Sequence, residues 1–546
     1  MKRPFSKRPF HFGSVSMGTF HFLFDYFFRI PEKSFRFCIF TSSFASNLLK
    51  YVVMKILTGD HIRLAEQQTI ENEPISSIDL VERAADRMAE FIAGRFPDHD
   101  LFVFALGKGK NAADGLAVAR KLSERGYTCR GYYIFPEAEC CEEYRINFRR
   151  MPENVILRQY DPEHPPMATP SGIVIDAILG TGVSGPVEGL VARGIDVVNH
   201  SGRRVISIDM PSGMSPELGK VQGAVVEADI TLCLGYPKVS LLVPESGEYA
   251  GEIVVLPIGL WEKSIDEIPS PYFYVAKNDI RHLIEKRPKF SHKGEFGHAL
   301  LIAGSEGMTG AAILSTEGAL RSGCGLVTVH VPKAEHSVIH ISHPAALVSP
   351  DRGNRFTEVP HDLPKYTAIG IGTGMGQAPE TFKAFKELLE QYDRPMVIDA
   401  DALNILAARK ELLPLVPAES ILTPHVGELR RLIGDWKSDR EKLEKTTELA
   451  ASINSYILIK GAYSVVCGPL GLYWFNSTGN PGMAKGGSGD VLMGLMTGLL
   501  AKGMNSRSAA ILAAYVHGRA GDDAAKRWGQ ESMNAEDIAK NLTRID

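Results

Sequence analysis

Short apolar runs, several of them closing on a glycine, an acid or a lysine, recur along this chain with helical stretches between them. In the first half they are Leu101-Phe102-Val103-Phe104-Ala105-Leu106, Ile173-Val174-Ile175-Asp176, Val205-Ile206-Ser207-Ile208-Asp209 and Ile230-Thr231-Leu232-Cys233-Leu234. In the second half they are His298-Ala299-Leu300-Leu301-Ile302-Ala303-Gly304, Leu326-Val327-Thr328-Val329, Ala368-Ile369-Gly370-Ile371-Gly372, Met396-Val397-Ile398-Asp399, Ile457-Leu458-Ile459-Lys460 and Val465-Val466-Cys467. A run that is apolar at nearly every position offers no face to water, so it reads as a strand buried on both sides. Strands alternating with helices restrict the fold to α/β, with mostly parallel sheets covered on both faces. The stretches between them fit helices. Ala112, Leu116 and Ala119 fall at i, i+4 and i+7, and Leu64, Ile78, Leu80 and Val81 recur among charges, with Ser77 and Asp79 as candidate caps. No fixed period runs through the chain, which argues against a solenoid.

At 546 residues the chain exceeds a single core, which stops growing at about 250–300 residues, so two or more domains are expected. The polar segment from Trp261 to Pro271, with Pro269 and Pro271, reads as a linker. The expected division is an aromatic-rich extension over 1–53, a first domain over 54–265 and a second over 272–546. A hydrophobic share of 44% is enough to build both cores of a soluble protein. A net charge of -4 gives no support for nucleic-acid binding. The 7 cysteines form no CxxC pair and no Cys/His zinc spacing, and the adjacent Cys140 and Cys141 read as chance. Such a set fits reduced thiols, so a cytoplasmic location is expected.

The extension is crowded with Phe20, Phe22, Phe24, Phe27, Phe28, Phe35, Phe37, Phe40 and Phe44. Its basic start, Lys2, Arg3, Lys7 and Arg8, resembles a signal-peptide n-region, but His21, Asp25 and Arg29 break the apolar run that should follow. Nothing there approaches the roughly 20 apolar residues of a membrane span, so no membrane partner is expected. A poor targeting segment, a docking appendage and a start codon placed too early are the open readings. The last is favoured, because Met54-Lys55-Ile56-Leu57-Thr58-Gly59-Asp60 begins a fluent globular sequence. A chain starting at Met54 is expected to fold and work unaided.

The chemistry concentrates in Asn480-Pro481-Gly482-Met483-Ala484-Lys485-Gly486-Gly487-Ser488-Gly489-Asp490, which runs into the apolar helical stretch from Val491. A glycine loop feeding a helix leaves backbone N–H groups free at the positive end of the helix dipole, a ready anion site. Glycine lets backbone approach the ligand without a Cβ clash. Asp490, at the helix start, stands where it can take a proton from an attacking hydroxyl. Taken alone, the loop is equally a plain Asp cap after a flexible turn. It is accompanied, however, by Lys460-Gly461, Asp399-Ala400-Asp401-Ala402-Leu403-Asn404, Thr423-Pro424-His425-Val426-Gly427-Glu428 and Gly372-Thr373-Gly374-Met375-Gly376. Each follows a strand, and open α/β sheets bind ligands beyond their strand C-termini.

Together with Lys293-Gly294-Glu295-Phe296-Gly297-His298, these motifs resemble the ADP-dependent NAD(P)H-hydrate dehydratase family, over about Tyr272 to Ile545. The resemblance implies a ribokinase-like α/β domain. It implies that NADH or NADPH hydrated at the nicotinamide ring (NADHX or NADPHX) is dehydrated with ADP as phosphoryl donor, giving AMP and phosphate. It further implies Asp490 as base, Lys460, Gly461, Ala462, Tyr463, Ser464 and Gly489 around the nucleotide, and Ala311, Gly374, His425 and Asp490 around the hydrate. Mg²⁺ would offset phosphate charge. One departure is Val426, where the family usually has proline; this touches loop stiffness more than chemistry.

In the first half, Gly107-Lys108-Gly109-Lys110-Asn111-Ala112 fits G-x-G-x-x-A between a strand and a helix. Alone this is a weak fingerprint, and no acid about 20 residues on supports a dehydrogenase. Asp176-Ala177-Ile178-Leu179-Gly180-Thr181-Gly182 and Asp209-Met210-Pro211-Ser212-Gly213-Met214 again set acids at strand ends before turns. These, with Ile70-Glu71-Asn72-Glu73-Pro74-Ile75-Ser76-Ser77, resemble the NAD(P)HX epimerase family, a Rossmann-like three-layer α/β/α fold that interconverts the R and S hydrates. The resemblance implies K⁺ on Asn111, Asp176 and Ser212, with Asp209 as acid/base. It implies substrate contacts from Lys110, Asn111, Ala112, Ala113, Asp114 and Asp209, and from Gly180-Thr181-Gly182-Val183-Ser184-Gly185-Pro186. The family loop normally reads N-N-G-G-D-G, whereas this chain has Lys110-Asn111-Ala112-Ala113-Asp114-Gly115. If the missing glycines take φ > 0 or abut the ligand, alanine is costly there.

The expected function is therefore metabolite repair of NADHX and NADPHX by a homo-oligomer, since both folds often assemble symmetrically. Two other readings stay open. One is an ATP-dependent small-molecule kinase of ribokinase-like fold, and the other a non-catalytic nucleotide-binding scaffold with a degenerate N-terminal half.

Overall fold

The computed structural model describes residues 53–163, 171–284 and 286–542. The extension, apart from Val53, lies outside the described residues, and so does the reading of an early start. Among the described residues the strands form two sheets, one of seven strands and one of eleven. The first, β1 (Met54–Lys55), belongs to the larger sheet. The smaller sheet holds β2 (Leu101–Leu106), β3 (Thr128–Tyr133), β4 (Ile156–Gln159), β5 (Ile173–Ala177), β6 (Val205–Ile208), β7 (Ile230–Leu234) and β8 (Glu252–Leu256). Their order is β4-β3-β2-β5-β6-β7-β8 and every pairing is parallel.

The larger sheet continues with β9 (Tyr272–Val275), β10 (His298–Ile302), β11 (Leu326–Pro332), β12 (Leu347–Asp351), β13 (Ala368–Ile371), β14 (Met396–Ile398), β15 (Ile421–Leu422), β16 (Tyr456–Ile459), β17 (Val465–Cys467) and β18 (Tyr473–Asn476). Its order is β1-β9-β18-β17-β16-β15-β14-β13-β10-β11-β12. The block from β12 to β16 is parallel, while β16–β17–β18 is an antiparallel meander. In each parallel block the tips of all strands therefore open on one edge. Strand order reverses between β2 and β5 in the first sheet and between β10 and β13 in the second. Loops leaving such neighbours turn to opposite faces and part, which leaves a crevice at the tips.

Local sequence accounts for most elements. Ser76, one residue before the expected cap, caps the helix Ser77–Arg95: its hydroxyl accepts from Asp79 N–H and Asp79 accepts from Ser76 N–H. Strict alternation fails between β6 and β7, where no helix intervenes. The segment read as a linker contains the helix Glu262–Glu267, and Ile265 and Ile268 are buried in the first core.

The two halves share more than a tether. Met54 pairs with Tyr274 and Lys55 with Phe273. The Lys55 Nζ then donates to the carbonyls of Ile265, Asp266 and Ile268 at 2.9, 2.9 and 2.8 Å. Ile56 packs into a core with Tyr274 and Phe475, whereas the next residue, Leu57, packs with Phe102 and Ile175. Met210, Met214 and Leu241 of the first half lie in the same core as Ile457 and Val465 of the second. Glu245 N–H donates to Asp439 Oδ2 at 2.8 Å, and Asp439 N–H donates back to Glu245 Oε2 at 3.1 Å. Each acid thus satisfies a free donor at the start of a helix in the other half.

Two candidate active sites at the strand tips

In the larger sheet the tips of β14 and β16 and the start of the helix Ser488–Ala501 converge. Asp399, directly after β14, caps the helix Ala400–Ala408, and its side chain accepts from Ala400 N–H. Lys460, directly after β16, donates to Asp399 Oδ1 at 2.8 Å and lies 3.9 Å from Glu428 Oε2. Gly489 faces this pair: a Cβ there would stand 3.5 Å from Lys460 Nζ and 3.7 Å from Asp399 Oδ2. Gly487, at φ 91°, ends the loop, and Asp490 sits in the first helical turn. Burial, then the neighbouring Asp399 carboxylate, push the Asp490 carboxyl up to about 7 against the pull of Lys460. Burial pulls Lys460 down, but the carboxylates of Asp399, Glu428 and Asp490 together outweigh it, so its pKa is raised. A half-buried carboxyl poised near neutrality beside a cation and free helix N–H groups is suited to take a proton close to a bound anion.

The crevice between β10 and β13 opens beside this cluster. Gly374, at φ 65°, leaves room for Ala311: a Cβ on Gly374 would stand 3.0 Å from Ala311 Cβ. Ser305 Oγ fixes that loop by donating to Gly374 O at 2.8 Å. Gly372 is required for closure, since a Cβ there would meet Asp399 O at 1.8 Å. His425 follows β15 and caps the helix Val426–Ile433. Its Nδ1 accepts from Gly427 N–H at 2.9 Å, and its own N–H donates to Glu428 Oε2 at 2.8 Å. Val426 occupies the first helical position, where proline is favoured because its missing donor is not needed. The departure at Val426 is therefore conservative in backbone terms. Gly461 and Ala462 form an exposed turn closed by Ser464, whose Oγ accepts from Gly461 N–H at 3.2 Å. Tyr463 packs against the core shared by the two halves. Lys485, although inside the glycine loop, is committed elsewhere: its Nζ donates to Glu531 O and Met533 O.

In the smaller sheet the second site stands at the reversal between β2 and β5. Gly107 is dictated by contact, because a Cβ would lie 1.9 Å from Ile178 O. Asp176, fully buried at the tip of β5, accepts from Ser212 Oγ at 2.5 Å, Ser207 Oγ at 2.7 Å, Ser212 N–H at 2.9 Å and Ile178 N–H at 3.2 Å. Burial still raises its pKa. Asn111 Nδ2 donates to Leu179 O at 2.7 Å, while its buried Oδ1 has no partner. Asn111, Asp176 and Ser212 are thus brought together. Asp209, at φ 63°, accepts from Leu234 N–H at 3.1 Å and from the fully buried Lys238 ammonium. Lys110 pairs with Glu66 at 3.3 Å. Burial, then the carboxylates of Glu66 and Asp209, hold Asp114 well above the usual carboxylate range. The loop from Gly180 to Pro186 is mostly exposed at the mouth.

Ala112 and Ala113 do not lie in a loop. Both are inside the helix Lys110–Glu124, fully buried in the first core, and neither has positive φ. The concern over the missing glycines therefore falls away, and neither side chain offers surface to a ligand. Sequence reasoning passed over Lys238, Glu66 and His517. Lys238 had a signal, since Gly235-Tyr236-Pro237-Lys238 directly follows β7 on the same edge. His517 had none, being buried in the middle of a helix of small and apolar residues.

Two family models match the chain. One, described as NAD(P)H-hydrate dehydratase, covers residues 299–544, and the other, described as YjeF-related protein N-terminus, covers residues 77–240. The bifunctional NAD(P)H-hydrate repair enzyme Nnr of Moorella thermoacetica is 33% identical over 519 residues, covering 91% of this chain and 96% of its own. The enzyme of the same name from Coxiella burnetii is 31% identical, covering 88% of this chain and 97% of its own. The crystal structure of an ADP/ATP-dependent NAD(P)H-hydrate dehydratase from Bacillus subtilis, co-crystallised with ATP and Mg²⁺, is 32% identical, with a TM-score of 0.44, over 50% of this chain and 96% of its own. At these identities along nearly the full length of its relatives, the chain belongs to the family of bifunctional NAD(P)H-hydrate repair enzymes.

Proposed function

We propose that this protein repairs hydrated NADH and NADPH: the first half, 54–265, epimerises the R and S hydrates, and the second, 272–546, dehydrates the S form with ADP. The observation that carries this is Asp490, with its carboxyl raised to about 7, beside Lys460 and Asp399 at a helix N-terminus. Asp490 takes the proton of the ring hydroxyl as its oxygen attacks the terminal phosphorus of ADP, and AMP leaves. Phosphate is then a good leaving group, and its loss with a ring proton restores the nicotinamide double bond. Lys460 and Gly489 face the phosphates, the turn Gly461 to Ser464 takes the rest of the nucleotide, and Ala311, Gly374 and His425 line the hydrate. Asp399, with Glu428 beside it, would hold Mg²⁺, which is usually bound through one or two carboxylates plus substrate phosphates. When bound, Mg²⁺ supplies charge neutralisation at the phosphates.

In the first half, Asn111, Asp176 and Ser212 fit K⁺, because the partnerless Asn111 Oδ1 gives a hard oxygen aimed at no donor. K⁺ would bring positive charge beside the Gly180 to Pro186 loop, the proposed phosphate contact. Asp209, fixed by Lys238, acts as the acid/base. A cytoplasmic homo-oligomer is the proposed state; among the described residues no helix is long and apolar enough to cross a membrane.

The test uses mixed R,S-NADHX with ADP or ATP and the full chain. Complete recovery of nicotinamide absorbance with ADP is expected. Recovery of only part of the mixture would leave the dehydratase and remove the epimerase. Phosphorylated hydrate accumulating without NADH would instead favour the small-molecule kinase.

A further inference from the structure

The helix Ser506–Trp528 clamps the strand-to-helix loop over 476–488. Its glycines have no room for side chains: a Cβ on Gly518 would lie 2.4 Å from Thr478 Oγ1, and one on Gly521 would lie 2.2 Å from Met483 Sδ. Thr478 Oγ1 donates to Tyr515 O at 2.7 Å. Asp522 accepts from Gly479 N–H at 3.0 Å and from Asn480 Nδ2 at 2.9 Å. Within the same face His517 is buried, with its Nε2 2.9 Å from Ser488 O. A carbonyl oxygen only accepts, so Nε2 carries the hydrogen and donates it. Burial lowers the His517 pKa to about 4, which leaves the ring neutral.

Ser488 C=O and Gly489 N–H belong to one planar peptide unit and point in opposite directions. Gly489 is the second residue of the helix Ser488–Ala501, so its N–H lacks an intrahelical acceptor. The residue borders the same cluster, since a Cβ on Gly489 would stand 3.5 Å from Lys460 Nζ and 3.7 Å from Asp399 Oδ2. Fixing the oxygen of this peptide from behind therefore fixes the direction of the N–H in front. We propose that His517 is a positioning residue for nucleotide phosphate: its Nε2–H holds the Ser488–Gly489 peptide with Gly489 N–H aimed at the anion. The assignment rests on the reading of this loop as the phosphate site of ADP.

The test compares His517→Met, which fills the space without a donor, with His517→Gln, whose Nε2 reaches the place of the ring Nε2. In the full chain, His517→Met is expected to raise KM for ADP about tenfold, the scale of one hydrogen bond to a charged group. KM for the S hydrate and inhibition by AMP, which lacks the second phosphate, stay within about twofold of wild type, a change worth roughly 0.4 kcal/mol. His517→Gln restores KM for ADP. Equal losses on ADP and hydrate, or Met and Gln variants that behave alike, would overturn the proposal. If His517→Met loses its cooperative melt, His517→Asn, whose amide reaches only the Nδ1 place, is read by the same criteria. Failure of the wild-type chain to use ADP overturns the parent reading; wild-type use of ADP with unaltered variants overturns this one alone.

Discussion

Asp490 is held in tension between activity and stability. Its folded pKa, about 7, lies above the ordinary carboxylate value of about 4. The folded state thus binds this proton more tightly than the unfolded chain does. The stability linked to it is fully present below about pH 4 and is lost as pH rises through about 7. Asp490→Asn removes that loss, so calorimetry should give a higher Tm than wild type at pH 8 and no gain at pH 4. The same variant should lose about 10²–10⁴ in ADP-dependent recovery of NADH, the usual worth of a general base. Wild-type turnover should rise with pH through about 7, as the carboxyl becomes able to accept. Lys460 lowers the Asp490 pKa, so Lys460→Met should move that limb to higher pH at saturating ADP. An unmoved limb would mean that another group titrates.

Among elements, what the sequence disclosed and what it hid follow a physical line. The central parallel strands such as β2, β7, β10 and β14 were legible because they are apolar nearly throughout, and Asp399 and Lys460 were legible because they directly follow strands. Asp399, Lys460 and His425 are scattered in the chain, and the parallel pairing of β14, β15 and β16 brings their strand tips to one edge, where the helix carrying Gly489 begins. β1, β3, β4, β8, β9, β12 and β18 were not read as strands; β3 and β4 carry Arg130 and Arg158 and so break the apolar run. β1 has two residues and β12 holds Pro350, so neither shows a period. The backbone cost expected at Ala112 and Ala113 does not arise, because a motif does not reveal backbone dihedrals. Since Ala112 and Ala113 are helical and buried, Ala112→Gly with Ala113→Gly should destabilise by about 1 kcal/mol per residue in denaturant titration. Epimerisation, followed as R-to-S conversion in the Asp490→Asn background, should be unchanged. Gly372→Ala should do the opposite kind of damage. Its Cβ would meet Asp399 O at 1.8 Å and its φ is 130°, so the tips of β13 and β14 must part. Dehydratase activity should fall with the melt, while epimerisation survives at temperatures below it.

At the scale of the whole molecule, the boundary drawn through Trp261 to Pro271 describes the sequence better than the solid. β1 precedes the first half yet completes the sheet of the second, and Lys55 ties that strand to three carbonyls of the segment between them. Lys55→Met should lower Tm for both activities together, since it loosens a joint rather than a site; a loss confined to one activity would contradict this. The reciprocal contact of Glu245 and Asp439 has a bearing on recombination. Each helix start borrows its acceptor from the other half, and Lys442 pairs with Asp439 at the same place. A chimera that joins this first half to a relative's second half inherits only one side of the exchange. The main-chain donor at position 439 persists with any residue but proline, whereas the Glu245 N–H loses its acceptor if the new half lacks an acid there, so these two positions should travel together whenever halves are exchanged.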